Sequence, residues 1–484
     1  MNKETQSIRQ SVFRPSLRKT VALSLLIIGL SACQQGFLDL KPLSQPNVDN
    51  FYKTANDFGN AVNGAYDVLQ SANQYGGDFN TLLEARSDNV LDNDPSSNAG
   101  LRYNIDRFIE PTTNSLLRDT WGSLYTGINR TNLILDKIDA AAVAGVAFDN
   151  TLKNRYKGEA QFIRALSYFN LVRLWGKVPL VLKAGSTTDS RSYVRNEVAE
   201  VYAAIEKDLT DAAANLPANY TGADVGRATS GAAKGLLGKV LVTEKKFSQA
   251  ATVLREVISA GTYRLLPNVA DVFAVTNKNN AEIVFAVKFK KGVGGALPEG
   301  HALWYGTNIG DNIEASLRAA YPTGDARRAL TVQIPVPSNV NVVPRKFYDE
   351  FSAINDVGND FPVLRYADVL LLYAEAVNES AAQFSADALA AVNQVRSRAG
   401  APVYTEAQLG GMQATFREAI INERRLELAL ENDRWFDLVR TGKAVDALKV
   451  TGITVPANRL IYPIPQSEID TYNNPTTFAQ NPGY

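Results

Sequence analysis

One cysteine and one histidine are all that 484 residues contain of the two most versatile catalytic side chains. A single Cys forbids an intrachain disulfide and any Cys-rich zinc site, and a single His removes HExxH and multi-His metal centres with most His-based relays. Net charge is missing as well: 50 Lys plus Arg balance 50 Asp plus Glu, so no field draws in phosphate backbones and nucleic acid is excluded as a partner. The apolar run Val21 to Leu30, VALSLLIIGL, spans only about 15 Å as a helix, half of a roughly 30 Å bilayer core, and is too short for a transmembrane helix. Aromatic side chains, by contrast, are plentiful, with 20 Tyr, 20 Phe and 4 Trp. Hydrophobic residues at 45% and charged residues at 21% are ordinary for a globular protein with a sizeable core, and the length suggests two to four domains or one large body.

The N-terminus reads as an address. Lys3, Arg9, Arg14, Arg18 and Lys19 against a lone Glu4 form a positive region ahead of the apolar run, the pattern of a signal peptide. Directly after it, Leu30-Ser31-Ala32-Cys33 sets small residues before the sole thiol and resembles a bacterial lipobox. Cys33 is therefore expected to carry lipid on its sulfur and to become the mature N-terminus, anchoring the body to a membrane. Removal of residues 1–32 leaves 45 basic and 49 acidic residues, a mildly acidic mature chain.

Gln34-Gln35-Gly36 and FLDLKPLSQP, broken by Pro42 and Pro46, read as a linker and tether. Helical spacing begins at Asn50, with Phe51, Phe58, Val62, Tyr66 and Leu69, and returns in Trp121, Leu124, Ile128, Leu133, Leu135 and Ile138. Between them Ser87 to Tyr103 is polar and reads as loop. Three later segments have the grammar of tetratricopeptide helix pairs: Ala232 to Ile258, where small Gly238 and Ala250 let two helices approach; Leu364 to Arg398; and a helix from Gly158 whose partner is Val198 to Leu216. They are dispersed, which predicts a helical scaffold carrying long insertions in place of a regular solenoid. Glu282 to Lys288, EIVFAVK, reads as a strand, the Gly-rich segment KKGVGGALPEGHALWYGTNIGDN follows it, and residues 320–363 are too rich in proline for long helices.

Phe416 to Lys443 reads as one helix closed by Gly442, with Phe416, Ile420, Leu426, Leu430 and Phe436 inward and dense charge outward. Glu423, Arg424, Arg425, Glu427, Glu431 and Arg434 are read as structural ion pairs along that helix, not as a reaction centre. This block, together with Ile461-Tyr462-Pro463-Ile464-Pro465 and the ending Gln480-Asn481-Pro482-Gly483-Tyr484, is similar to the C-terminal signature of the SusD/RagB family. FLDLKP after the lipobox, FIRALSYFNLVRLWGKVPLV and LRYADVLLLYAEA fit the same family in the same order. The resemblance implies a mainly α, SusD-like fold: four tetratricopeptide-like helix pairs, long irregular insertions and a few short strands. It also implies a surface lipoprotein of Bacteroidetes-type bacteria that binds an oligosaccharide or other nutrient and passes it to a SusC-like TonB-dependent transporter. Residues 1–32 are then the signal peptide, and 33–265 and 266–484 two regions of one compact body. One departure is that Gln34-Gln35-Gly36 is neutral, whereas family leaders often carry charge after the lipidated Cys.

Sugar capture needs aromatic faces for the C–H side of pyranose rings, with amides, carboxylates and guanidinium groups for hydroxyls. Two loops concentrate them: Trp304, Tyr305, Asn308, Asp311 and Asn312 in the Gly-rich insertion with Tyr321 after it, and Arg86, Asp88, Asn89 and Tyr103 around the earlier polar stretch. The family places ligand residues in these two general regions. Trp121, Trp175 and Trp435 lie in amphipathic helices and are assigned to the core. His301 has no motif around it, and Asp92-Asn93-Asp94 lacks the glycine and the bidentate glutamate of a calcium loop, with Ser97 and Tyr103 in their places. No cofactor and no catalytic residue is expected. Two rival readings are a secreted lipoprotein carbohydrate hydrolase, which needs two carboxylates about 5–9.5 Å apart across a cleft, and a tetratricopeptide scaffold for proteins or peptides. Mass spectrometry of the mature protein should find Cys33 first in the chain and acylated; an unmodified thiol there would remove the anchor.

Overall fold

The computed structural model describes residues 51–143, 148–185, 192–291, 306–307, 312–331, 333–335, 341–349, 358–381 and 384–484. Cys33 and its tether, and His301, Trp304, Tyr305, Asn308 and Asp311, lie outside the described residues. Thr54–Tyr484 forms one compact unit, and no helix among the described residues is long and apolar enough to cross a membrane.

The scaffold is helical. α1 (Ala55–Leu69) leads through α2 (Asp78–Glu84) and α3 (Leu101–Asp106) to the long α4 (Ser115–Val143) and α5 (Asn150–Trp175). α6 (Val198–Asn215), α7 (Ser230–Thr243) and α8 (Phe247–Ser259) follow. Local chemistry fixes their starts: Thr54 and Asp57 close a capping box on α1, and Thr229 accepts from the Ala232 amide at the head of α7. α1 packs on α4, α5 on α6 and α7 on α8, with further packing of α4 on α5 and α6 on α7 that stacks the pairs. The close approach expected at Gly238 is present, for a Cβ there would fall inside the Leu254 side chain.

Short elements interrupt the stack before the last pair. After two short helices, α9 (Ala315–Ala320) and α10 (Arg327–Leu330), come α11 (Tyr366–Ser380) and α12 (Ala386–Ala399), which pack together and, through α11, against α8. The strands are β1 (Val90–Leu91), β2 (Ile283–Val287), β3 (Gly306–Thr307), β4 (Asn312–Ile313), β5 (Gln333–Pro335), β6 (Asn341–Pro344) and β7 (Phe361–Arg365). They pair as β1–β4, β2–β7 and β3–β6–β5, all antiparallel. Trp121, Trp175 and Trp435 are buried, as assigned from sequence.

The C-terminal signature departs from the single amphipathic helix expected. It divides into α13 (Gln413–Glu427) and α14 (Arg434–Arg440), followed by α15 (Ala444–Val450) and α16 (Gln466–Tyr472). The break at 428–433 holds Leu430 at φ 69° and Asn432 at φ 67°, a left-handed backbone that costs a leucine about 1–2 kcal/mol. It persists because the Asn432 amide donates to Glu84 Oε1 at 2.6 Å and the Asn432 side chain to Asn80 Oδ1 at 2.8 Å, tying the turn to α2. The charge is not outward either: Glu423, Arg424, Glu427, Glu431 and Arg434 are all buried. The ion pairs expected along the helix exist, but they run between elements.

Their centre is Glu427. Arg365, at the end of β7, donates to Glu427 Oε1 at 2.5 Å, to Glu431 Oε2 at 2.6 Å and to Glu282 Oε1 at 3.0 Å. The β2–β7 register produces the last contact by setting Ile283 opposite Arg365. Arg327 donates to Glu427 Oε2 at 2.8 Å and Glu423 Oε1 at 2.6 Å while Asp325 holds its other edge. Arg398 bridges Glu282 and Glu427, Arg396 pairs with Glu423, and Lys346 reaches Glu431. Five cations thus face five carboxylates in the buried interior. Burial alone would raise the Glu427 pKa, but the guanidinium groups of Arg398, Arg365 and Arg327 hold it well below the usual carboxylate range. A carboxylate depressed in this way stabilises the fold above its unfolded value of about 4.3, and the contribution is lost as pH falls through the lower folded value. Glu427→Ala should destabilise the protein by about 3–5 kcal/mol in urea denaturation at neutral pH, because it strands buried cations. Glu427→Gln should flatten the loss of stability on acidification below about pH 4 relative to the parent.

Candidate functional site

The two loops chosen from sequence meet. β1 and β4 pair with Val90 opposite Ile313 and Leu91 opposite Asn312, and the Glu314 amide donates to the Asn89 carbonyl at 2.8 Å. A ladder of two residues is too short to hold itself. Arg425 on α13 clamps it from below: Nε donates to Asn89 Oδ1 at 3.0 Å, and Nη2 donates to the Asp88 carbonyl at 2.8 Å and reaches Ser316 Oγ at 3.3 Å. Arg434 on α14 binds the Asp88 carboxylate in a two-pronged pair at 2.6 and 2.8 Å. Burial would push Asp88 up, yet the Arg434 bonds and the charges of Arg434 and Arg425 leave it below its ordinary value.

Arg86 is wholly buried at the other edge of the first loop. Its Nη2 donates to Glu110 Oε1 at 2.5 Å and its Nη1 to the Arg459 carbonyl at 3.0 Å, while its guanidinium lies 3.7 Å from the Tyr462 ring centre. The hydroxyl of Tyr484, the last residue, donates to the same Glu110 oxygen at 2.8 Å. Asn481 donates to the carbonyls of Trp175 and Tyr462 at 3.0 and 2.7 Å. The motif residues of the C-terminal ending are thus a staple that seats the tail on the base of the loop.

Of the sequence-chosen residues within the described chain, Arg86, Asp88, Asn89 and Tyr321 are placed beneath the loop surface, each at most 6% exposed. Tyr321 donates its hydroxyl to the Leu426 carbonyl at 2.9 Å. In this conformation these side chains support the loops and do not face solvent. Tyr103 is the exception, half-exposed with the Arg107 guanidinium 5.3 Å from its ring centre. Arg107 Nη2 reaches the Asp92 carbonyl and Asn93 Oδ1, each at 3.3 Å, and Asn93 is exposed beside it. An aromatic face, an amide and a guanidinium therefore stand together at the rim, the donor set for hydroxyl-rich ligands.

Asp92 and Asp94 turn inward. Asp92 Oδ1 accepts from the Asp94 amide at 2.8 Å, and Asp94 Oδ1 accepts from the Ser96 amide and hydroxyl at 2.9 and 2.7 Å. Among the described residues no group of His, Cys, Asp and Glu is arranged to hold a metal ion. Sequence reasoning missed Arg425 and Arg434 as clamps; their only trace was the arginine density of the signature, which looks the same for an exposed helix.

Comparison with known proteins covers most of the chain. A family model described as SusD family matches residues 334–484, and one described as starch-binding associating with outer membrane matches residues 36–242. A SusD-like protein, P25, of Formosa agariphila is 27% identical over 90% of this chain and 91% of its own. A laminarin-binding SusD-like protein superposes with a TM-score of 0.76 at 29% identity, covering 90% of this chain and all of that one. A SusD homolog from Bacteroides thetaiotaomicron gives a TM-score of 0.80 at 26% identity over 91% of this chain and 99% of that one. The mainly helical architecture with few short strands is that of these structures. Arg425→Met should free the β1–β4 ladder while leaving the scaffold folded: faster amide exchange at residues 88–91 and 312–314, with protection of α5 and α11 unchanged, is the expected readout.

Proposed function

The chain belongs to the SusD/RagB family, and we propose that it captures a glycan at the outer membrane without cleaving it and hands it to a SusC-like transporter. The observation that carries this reading is the β1–β4 ladder, which joins two loops, distant in sequence, into one surface. Arg425 and Arg434 fix the joined loops from beneath. Binding without turnover requires only a shaped surface with a few polar groups. Tyr103, Asn93 and Arg107 supply part of it, and Trp304, Tyr305, Asn308 and Asp311, in the insertion that ends at β4, are proposed as the remainder.

Four carboxylates near the loops support a non-catalytic reading. Asp88 is held by arginine, Glu110 by Arg86 and Tyr484, and Asp92 and Asp94 by their own turns. A general acid needs a raised pKa at an open cleft, and Asp88 is shifted the opposite way. Lipid on Cys33 would keep the body at the membrane beside its transporter. The similarity to a laminarin-binding protein makes β-1,3-glucan the first ligand to try. Titration of the intact chain with laminarihexaose, maltohexaose and cellohexaose should show saturable binding to at least one, weakened about tenfold or more by Trp304→Ala, with no new reducing ends after prolonged incubation. Release of reducing ends would instead favour a hydrolase.

A further inference from the structure

A second concave site lies away from the loops, in the helical scaffold. It is a cleft of about 410 Å³ between α4, the segment 179–185, Tyr193 and α16, and its size is that of small-molecule sites, roughly 300–1,000 Å³. Trp121, Tyr125, Tyr193 and Tyr472 line it, with Asn129 and Glu468 as polar groups. It shares no residue with the loop surface described above.

Its walls are fixed by bonds that leave the aromatic faces in place. The Tyr125 hydroxyl donates to the Pro179 carbonyl at 2.8 Å. The segment behind it is held at Val181, whose amide donates to the Tyr168 hydroxyl at 2.6 Å and whose carbonyl accepts from Asn132 at 2.8 Å. On the opposite wall Tyr472 is stacked on Phe478, ring centres 3.8 Å apart and planes 13° from parallel. α16 is pinned at its start, where the Gln466 amide donates to the Thr112 carbonyl at 2.9 Å. A site with rigid walls loses little entropy when a ligand enters.

The electrostatics select the ligand. Glu468 sits half-buried, and burial raises its pKa although the Trp121 indole acts against that; such a carboxyl group suits hydroxyl groups better than an anion. Aromatic rings beside an amide and a carboxyl group suit a polyhydroxylated ligand with an apolar face.

We infer that this cleft is a second saccharide subsite, where a neutral sugar ring lies against Tyr125 and Tyr472 while Glu468 and Asn129 bind its hydroxyls. The inference rests on the glycan-binding reading above but not on its residues, so the two can fail separately. The test is calorimetric titration of the intact chain with laminarihexaose, maltohexaose and cellohexaose, comparing the parent with Tyr472→Ala, Glu468→Gln and the loop variant Trp304→Ala. Expected is a two-class isotherm for at least one sugar, in which Tyr472→Ala and Glu468→Gln each weaken one class about threefold to tenfold and Trp304→Ala weakens only the other. Glu468→Gln keeps the shape of the side chain and decides the matter if Tyr472→Ala does not fold. Binding that responds to Trp304→Ala and to neither cleft variant would overturn this inference and leave the first reading standing. Binding that responds only to the cleft variants would uphold the subsite and overturn the loop assignment, and three silent titrations would overturn both.

Discussion

A buried charge is tolerated only where opposite charges and hydrogen bonds offset its lost hydration. The cluster around Glu427 meets that condition with arginines drawn from three separate parts of the chain: Arg327 from α10, Arg365 from β7, and Arg396 and Arg398 from α12. All three nitrogens of Arg365 are engaged at once. Apolar packing is indifferent to small rotations, whereas two-pronged guanidinium pairs are directional. The cluster therefore does more than hold α13 against the last helix pair. It sets the angle at which α13 leaves the core, and with it the positions of Arg425 and Arg434, which face the loop.

The second cluster continues the same logic toward the scaffold. Arg424 joins Asp437 at 2.8 Å and Asp368 at 2.6 Å, Lys239 of α7 joins Asp368 at 3.0 Å, and Arg440 binds Glu375 and Asp437. Successive residues of α13 thus point to different parts of the fold: Glu423 and Glu427 to α10, β7 and α12, Arg424 to α11 and α14, and Arg425 to the loop ladder. A helix with an apolar stripe has one direction of attachment, but charge on its remaining faces gives this one three.

Much of this was legible in the residues alone, for reasons that can be named. Periodicity and small-residue positions disclosed the helix pairs because α7 and α8 touch through Gly238, a contact local in sequence. EIVFAVK disclosed a strand because β-branched residues bounded by turns leave few alternatives. The break in the signature after Glu427 was not legible: its cause is a hydrogen bond to Glu84, more than three hundred residues away. Nor was the inward direction of the charge, since an arginine-rich helix reads as solvated until its partners are known. Arg86, Asp88 and Asn89 attracted notice as polar loop residues, and the structure places all three as the loop's foundations. Tyr125 and Tyr472 escaped notice because their cleft unites elements that no local pattern connects.

The arrangement also explains why an irregular loop surface can rest on so regular a scaffold. Loops bury little apolar area, so they cannot fix themselves by the means that fix helices. Here the missing constraint is delivered as charge from helices already locked in the core, through Arg425 and Arg434, and by the C-terminal tail, where Tyr484 meets Glu110 beside Arg86. The supports bind backbone carbonyls and residues at the loop's foot, not its tip. Residues away from the foot can then change without loss of the supports. The charged signature and the loop feet it holds are in that sense one device.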